Sequence, residues 1–288
     1  MSPAVWRFDA IGTAWEIVTP GPIAAGERDA VSRVIAEFDA DWSRFRPDSV
    51  VSRLSLKGGS VPAPPDAEAM LALAGELSVA TAGGVNPLIG DSLSRLGYDA
   101  DITLKPTGSA LPAPVRWREI LSWDETSLRL ARPGTIDVGA MGKGRLVDLV
   151  CDEIAGPVVV DASGDIRVRG MPQRIALEHP YDSRTAIGVV EIDGEALCAS
   201  ATNRRAWGNQ LHHVLDGRTG EPVREIAATW AIAPDAMTAD AAATGLFFDG
   251  GPQFAHERGV HWVRMFTDGR AEWSLGDRVD QRVAEVFA

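Results

Sequence analysis

Cysteine is scarce: the 288 residues hold two, Cys151 and Cys198. Two cysteines cannot build the disulfide framework of a small secreted domain or a thiolate metal centre. Cys151 falls in a helical pattern and Cys198 in an apolar, strand-like run, so both are expected to be reduced core thiols. No stretch reaches the roughly 18 apolar residues that a membrane-spanning helix needs, so no membrane insertion is expected. Met1 to Gly12 has no basic segment followed by an apolar one, so no signal peptide is expected and the cytoplasm is the expected compartment. Positive charge is also short. There are 28 Lys and Arg against 40 Asp and Glu, a formal net charge of −12. An acidic surface repels phosphate backbones and anionic lipid, which argues against a nucleic-acid or membrane partner. A polyanionic small ligand would need local help from a metal or from helix N-termini. Internal repeats, low-complexity tracts and blocks of like charge are missing as well.

What is present is globular: 45% hydrophobic and 24% charged residues. Residues 26–42 carry Val31, Val34, Ile35, Phe38 and Trp42 on one stripe, which predicts an amphipathic helix closed off before Pro47. A second helix is predicted from Asp66, as N-cap, through Met70, Leu71, Leu73 and Leu77 to Gly83-Gly84. Ile136-Asp137-Val138 reads as a strand leading through a glycine-rich turn into a helix, Arg145 to Ile154. Strands are expected at Val158 to Val160, at 174–178, 187–192 and 196–199, and at Thr229 to Ala233. A helix from about Ala236 to Phe248 follows, then a terminal hairpin from His261 to Trp273 turning at Asp268-Gly269. Strands in runs beside separate helices predict an α+β fold rather than a doubly wound α/β one, with residues 1–288 forming a single domain.

Three segments carry candidate chemistry. In Ala236-Met237-Thr238-Ala239-Asp240-Ala241-Ala242-Ala243-Thr244, Asp240 and Thr244 stand four residues apart on one helix face, with only alanines between them. A carboxylate and a hydroxyl presented together suit a hard cation such as Mg²⁺. The same residues also suit a plain helix start, with an acidic group favouring the dipole and a back-bonded threonine. In Asp137-Val138-Gly139-Ala140-Met141-Gly142-Lys143-Gly144, the glycines let backbone N–H groups approach an anion. They would equally serve a tight turn. The P-loop and dinucleotide-fold spacings are both absent. In His212-His213-Val214-Leu215-Asp216-Gly217-Arg218, a histidine beside a strand end could orient a phosphate or simply complete a turn.

Taken in order, these segments resemble the ApbE family of flavin transferases. Asp9-Ala10-Ile11-Gly12-Thr13 resembles its N-terminal M-G-T element. Trp42 to Ser49, with Ser52-Arg53-Leu54, resembles its S-x-[YF]-x-x-x-S-x-[VL]-S-R-[FL] stretch. Gly83 to Leu88 is similar to G-x-F-D-P-T, with Asn86 and Leu88 standing where the family usually has Asp and Thr. Asp137 to Gly144 is similar to D-[LV]-G-[GA]-[IM]-[AG]-K-G, Asp161 to Asp165 to N-A-G-G-D, and His213 to Gly220 to H-[IV]-[IL]-D-P-[RK]-T-G. Ala239-Asp240-Ala241 with Thr244 is similar to A-D-A-x-x-T. Ser200 to Arg205 departs from the family's S-G-x-[YF]-x-R.

The resemblance implies an ApbE-like (T-fold-like) α+β architecture, with mixed, largely antiparallel sheets, packed helices and two lobes around a flavin cleft. It implies FAD as substrate and transfer of its FMN half to a threonine of an acceptor flavoprotein, with release of AMP. Asp240, Thr244 and the carbonyl of Ala140 would hold Mg²⁺, with Mn²⁺ as a substitute. Asp137 and Lys143 would contact FAD, and Ile11, Phe45, Asn86, Pro87, Leu88 and Val214 would line its pocket. His213 would sit near the reacting phosphate, and His213 or Asp240 would serve as base. Hydrolysis of FAD to FMN and AMP, or storage of FAD without turnover, are the competing readings.

Overall fold

The structure, a computed structural model, describes residues 3–279 and 284–287. The chain opens with strands β1 (Ala4–Ala10) and β2 (Thr13–Thr19), helices α1 (Ala25–Trp42) and α2 (Val50–Lys57), and β3 (Gly59–Pro62). Then come α3 (Ala67–Ala80), α4 (Gly90–Arg95), α5 (Trp117–Ile120), β4 (Leu121–Trp123), β5 (Ser127–Leu130) and α6 (Gly142–Asp152). A run of strands follows: β6 (Val158–Asp161), β7 (Asp165–Arg169), β8 (Gln173–His179), β9 (Asp182–Ile192), β10 (Ala196–Ala201), β11 (Ala206–Trp207), β12 (Leu211–His212) and β13 (Ile226–Ala233). The chain ends with α7 (Ala236–Gly245), α8 (Gly251–Glu257), β14 (His261–Phe266), β15 (Ala271–Ser274) and β16 (Ala284–Val286).

Eight strands form one sheet in the order β1-β2-β6-β7-β10-β13-β14-β15. Every pairing within it is antiparallel. Side chains of a strand alternate between faces, and here each face has its own core. Val158, Val160, Cys198, Ala231 and Trp262 join the core shared with the helices. Their neighbours Val159, Leu197, Trp230, Ile232 and Val263 join a second core. The helices α6 and α7 pack on the first face, and Leu177, Ile187, Val190 and Ala284 of the small sheet β16-β9-β8 pack into the second core. The middle of the sheet is therefore buried on both sides, which explains why β13 is buried along its whole length and does not alternate between apolar and polar residues.

The expected helices at 26–42 and 236–248 are present as α1 and α7, and the expected strands after Val158 are all present. Four local expectations differ. Ile136–Val138 is not a strand. Its backbone is satisfied outside any sheet instead: the Asp137 N–H donates to the Pro87 carbonyl at 2.9 Å and the Ile136 N–H to Ser55 Oγ of α2 at 3.3 Å. The following helix begins at Gly142, one turn before Arg145. Asp66 occupies the N-cap position of α3, but with φ of 65° its side chain makes no cap bond and instead pairs with Arg145 Nη2 at 2.6 Å. The hairpin β14–β15 is not the last element, because β16 returns to pair with β9. Among the described residues, no helix is long and apolar enough to cross a membrane.

Candidate active site

Helix α7 is placed by its own start. Asp235 Oδ1 accepts from the Thr238 N–H at 2.7 Å. From α6, the two oxygens of Asp148 accept from Ala236 N–H at 2.8 Å and Met237 N–H at 2.9 Å. Three of the free N–H groups at the helix start are thereby satisfied, two of them by a neighbouring helix. The alanines 239, 241, 242 and 243 are fully buried, so α7 lies close against α3, α6 and the sheet. This fixes the direction in which Asp240 and Thr244 point: both line a cleft of about 510 Å³.

The cleft gathers loops from distant parts of the chain. Gly12 and Thr13 come from the β1–β2 turn, Arg44 and Phe45 from the α1–α2 connection, and Asn86 and Pro87 from the loop after α3. Asp137, Ala140 and Lys143 come from the segment leading into α6, and His213 and Val214 from the turn after β12. Of the residues expected at the site, Ile11 and Leu88 are not on this wall. Ile11 sits in the left-handed region, φ 45°, in the two-residue turn that presents Gly12. Leu88 is buried in the core, its N–H donating to Asn86 Oδ1 at 2.9 Å. Asn86 spends its Nδ2 on the Pro114 carbonyl at 3.0 Å, so its amide closes a loop.

The charges are heavily paired. Asp240 is 3% exposed, and its Oδ2 accepts from the Gly144 N–H near the start of α6 at 2.9 Å. Burial and then the charge of Asp165 push its pKa well above the ordinary carboxylate value, against the pull of Lys143. Lys143 Nζ pairs with Asp165 at 2.8 Å and donates to the Ala162 carbonyl at 3.3 Å. Burial works against this ammonium, but Asp165 and Asp240 outweigh it and hold its pKa above the usual lysine value. Arg44 is nearly buried, pairs through Nε with Asp137 at 2.6 Å and donates to the Tyr98 carbonyl at 2.8 Å. Its guanidinium lies over Phe45 at 4.2 Å and Tyr98 at 4.9 Å, and the two rings meet edge to face at 70°, which makes an aromatic and cationic end to the cleft. Arg205 donates to Tyr98 Oη at 3.2 Å and forms no ion pair among the described residues.

His213 faces the cleft with Nδ1 lacking a partner. Burial, then Arg205, His212 and Lys143, lower its pKa to about 3, so it is neutral in the native state. His212, by contrast, is a structural residue whose ring Nε2 lies 2.8 Å from the Val223 carbonyl. An unfolded imidazole titrates near 6.5, so between about 3 and 6.5 the unfolded chain binds more protons than the native one. This contribution to stability therefore grows as pH rises through that window and is lost as pH falls. At pH 5 the loss should be up to about 2 kcal/mol. His213→Asn should melt closer to the wild type at pH 5 than at pH 7.5. An unchanged difference between the two melting temperatures would show that the imidazole is not held neutral.

The donors expected for a cation fit one. Thr244 Oγ1 lies 3.4 Å from the Ala140 carbonyl oxygen, which joins two of the three across the α6–α7 corner. Asp240 is one turn earlier on the same helix, and no donor among the described residues engages its Oδ1. Carboxylate, hydroxyl and carbonyl oxygens are hard ligands suited to Mg²⁺ or Mn²⁺. Among the described residues no three His, Cys, Asp or Glu side chains form a ligand cluster, and this set needs only one carboxylate.

Fold and cleft together define an antiparallel α+β protein with a cleft of mixed polar and apolar lining at the junction of two helices. A sequence model of the ApbE family matches residues 11–263, and the chain belongs to that family. It is 27% identical over 286 residues to a FAD:protein FMN transferase of Rhodobacter capsulatus, covering 91% of this chain but 55% of that protein. It is 25% identical to a FAD:protein FMN transferase of Escherichia coli (strain K12), covering 86% of this chain and 78% of that protein. The chain thus spans about half the length of the first of these relatives. The fold matches the flavin transferase ApbE from Vibrio cholerae with a TM-score of 0.77 at 23% identity, over 95% of this chain and 97% of that one. It also matches the ApbE protein from Thermotoga maritima with a TM-score of 0.79 at 21% identity, over 98% and 99%.

Proposed function

We propose that this chain transfers the FMN half of FAD to a threonine hydroxyl of an acceptor flavoprotein and releases AMP. The observation that carries the reading is the corner where Asp240, Thr244 and Ala140 meet in the cleft, within a family whose curated relatives are named FAD:protein FMN transferases. Asp240, Thr244 and the Ala140 carbonyl would hold Mg²⁺, which when bound would withdraw charge from the phosphoryl oxygens.

The protein's own groups do the rest. Arg205, the cleft arginine without a carboxylate partner among the described residues, is suited to the pyrophosphate. Lys143 is committed to Asp165 and acts on the ligand through the field of the pair. Phe45 and Tyr98, set edge to face beside Arg44, offer aromatic surface to a ring. The acceptor oxygen forms a bond to the FMN phosphorus as the bond from phosphorus to the AMP oxygen breaks, and AMP leaves as its phosphate. His213, neutral and with a free ring nitrogen, takes the hydroxyl proton. Its low basicity places that transfer late, once the forming bond has made the hydroxyl acidic.

Incubation with FAD and Mg²⁺ plus an acceptor protein should give AMP and protein-bound FMN in equal amounts, with the flavin on a threonine by mass spectrometry. AMP and free FMN without labelled protein would identify a hydrolase. Binding without AMP would identify a store.

A further inference from the structure

Four cationic side chains line the active-site cleft: Arg44, Lys143, Arg204 and Arg205. Three of them are neutralised by carboxylates. Arg44 pairs with Asp137 at 2.6 Å, Lys143 with Asp165 at 2.8 Å and Arg204 with Glu178 at 2.8 Å. Arg205 differs. Its side-chain partner among the described residues is a neutral phenol, the Tyr98 hydroxyl, which accepts from Nη1 at 3.2 Å. A carboxylate in that place would hold the guanidinium but cancel much of its field at a ligand. A hydroxyl holds it and leaves the charge intact. That charge acts where the candidate ligand and base residues meet: burial lowers the pKa of His213 and raises that of Asp240, and Arg205 pulls both down.

An arginine side chain has many rotamers, and fixing one at the moment a ligand binds costs affinity. Tyr98 fixes this one beforehand, because Tyr98 is itself held from several directions. Its N–H donates to the Leu93 carbonyl at 2.9 Å, and its own carbonyl accepts from Arg44 Nη1 at 2.8 Å. Its ring meets Phe45 edge to face with centroids 5.4 Å apart, and stacks on Trp207 at 5.6 Å and 24°. Trp207 follows closely on Arg205 in β11, and its Nε1–H donates to the Leu96 carbonyl at 2.8 Å. The phenol is thus wedged between the end of α4 and the segment that carries Arg205, with its hydroxyl turned to the guanidinium.

We infer that Tyr98 is a positioning residue: its hydroxyl fixes Arg205 for the pyrophosphate of FAD while leaving the guanidinium unneutralised. Tyr98 acts on the pyrophosphate through Arg205, and the packing of its ring serves to hold the hydroxyl still. The inference rests on the transferase reading above for the identity of the ligand.

Tyr98→Phe removes one oxygen atom and keeps the ring contacts and both backbone bonds, so the fold should be retained, as the melting temperature will report. Titration calorimetry with Mg²⁺ present follows three ligands: FAD, ADP (a pyrophosphate without the flavin) and riboflavin (the flavin without phosphate). Wild type, Tyr98→Phe, Arg205→Met and the double variant are compared. Tyr98→Phe should bind FAD and ADP about ten-fold more weakly, and riboflavin as the wild type does. Arg205→Met should lose more on FAD and ADP, and the double variant should bind them no more weakly than Arg205→Met alone. An equal loss of riboflavin affinity overturns the inference, because ring packing would then be the cause. Wild-type affinity for FAD and ADP in Tyr98→Phe also overturns it, as does a loss that persists in the Arg205→Met background. All of these are binding results. The transferase reading falls on a separate one: wild type that binds FAD but neither releases AMP nor labels an acceptor.

Discussion

Asp240→Asn should abolish metal-dependent turnover of FAD while leaving the apoprotein as stable as the wild type or more so. The two effects have different origins in one side chain. As a carboxylate, Asp240 is the only anionic member of the proposed ligand set, and losing it should cost about 10³-fold or more in rate. As a hydrogen-bond acceptor, it caps the Gly144 N–H at 2.9 Å. An asparagine oxygen can keep that bond. What the substitution removes is a buried charge whose pKa is raised first by burial and then by the charge of Asp165. Without a cation that charge is a cost, so its removal should hold or raise the melting temperature. In the wild type, Mg²⁺ should raise the melting temperature by binding the native state only. In the variant it should not. Calorimetry with and without Mg²⁺, beside an AMP assay, reads both. A variant that still gains stability from Mg²⁺ would place the cation elsewhere.

The double role of Asp240 shows what the sequence could and could not carry. The spacing of Asp240 and Thr244 on an alanine-rich helix was legible, because a 3.6-residue period fixes which residues share a face. The strands β6, β10 and β14 were legible as short runs bounded by turn residues. Ile136–Val138 was not. Its apolar and β-branched residues suit a strand, but Ser55 of α2 and the Pro87 carbonyl satisfy its backbone instead. The expectation that Lys143 contacts FAD did not anticipate Asp165, which is 22 residues away in sequence and 2.8 Å away in space. Arg44, Tyr98 and Arg205 were missed as cleft residues. They meet only because three loops converge, and no local period records that. One signal was available: in a chain this acidic, an arginine flanked by aromatics, as at Arg44-Phe45, points to a ligand or an ion pair.

The glycines before α6 give the other large effect. Sequence alone suggests that Gly139, Gly142 and Gly144 make room for a ligand. At Gly144 the room is taken by the protein. A methyl group there would lie 2.1 Å from the Ala236 carbonyl oxygen and 2.7 Å from Asp240 Cβ. Neither neighbour can yield cheaply. Ala236 opens α7, where Asp148 holds its N–H at 2.8 Å, and its carbonyl accepts from the Cys198 thiol at 3.4 Å. Asp240 is tied back to the Gly144 N–H itself. Gly144→Ala must therefore push α6 away from α7 and break these bonds together. The cost should be about 3 kcal/mol or more, at the upper end for an overpacked core. For a chain of this size that corresponds to a fall of roughly 6–12 °C in Tm. The same displacement parts Ala140 from Thr244, so Mg²⁺ affinity should fall with stability. Gly26→Ala is the control: Gly26 lies in α1 with nothing within 4 Å of a methyl group, and the change should be neutral or stabilising by about 0.5–1 kcal/mol. Calorimetry of both variants reads the difference. A Gly144→Ala protein that melts with the wild type would mean that the two helices are not in the contact described.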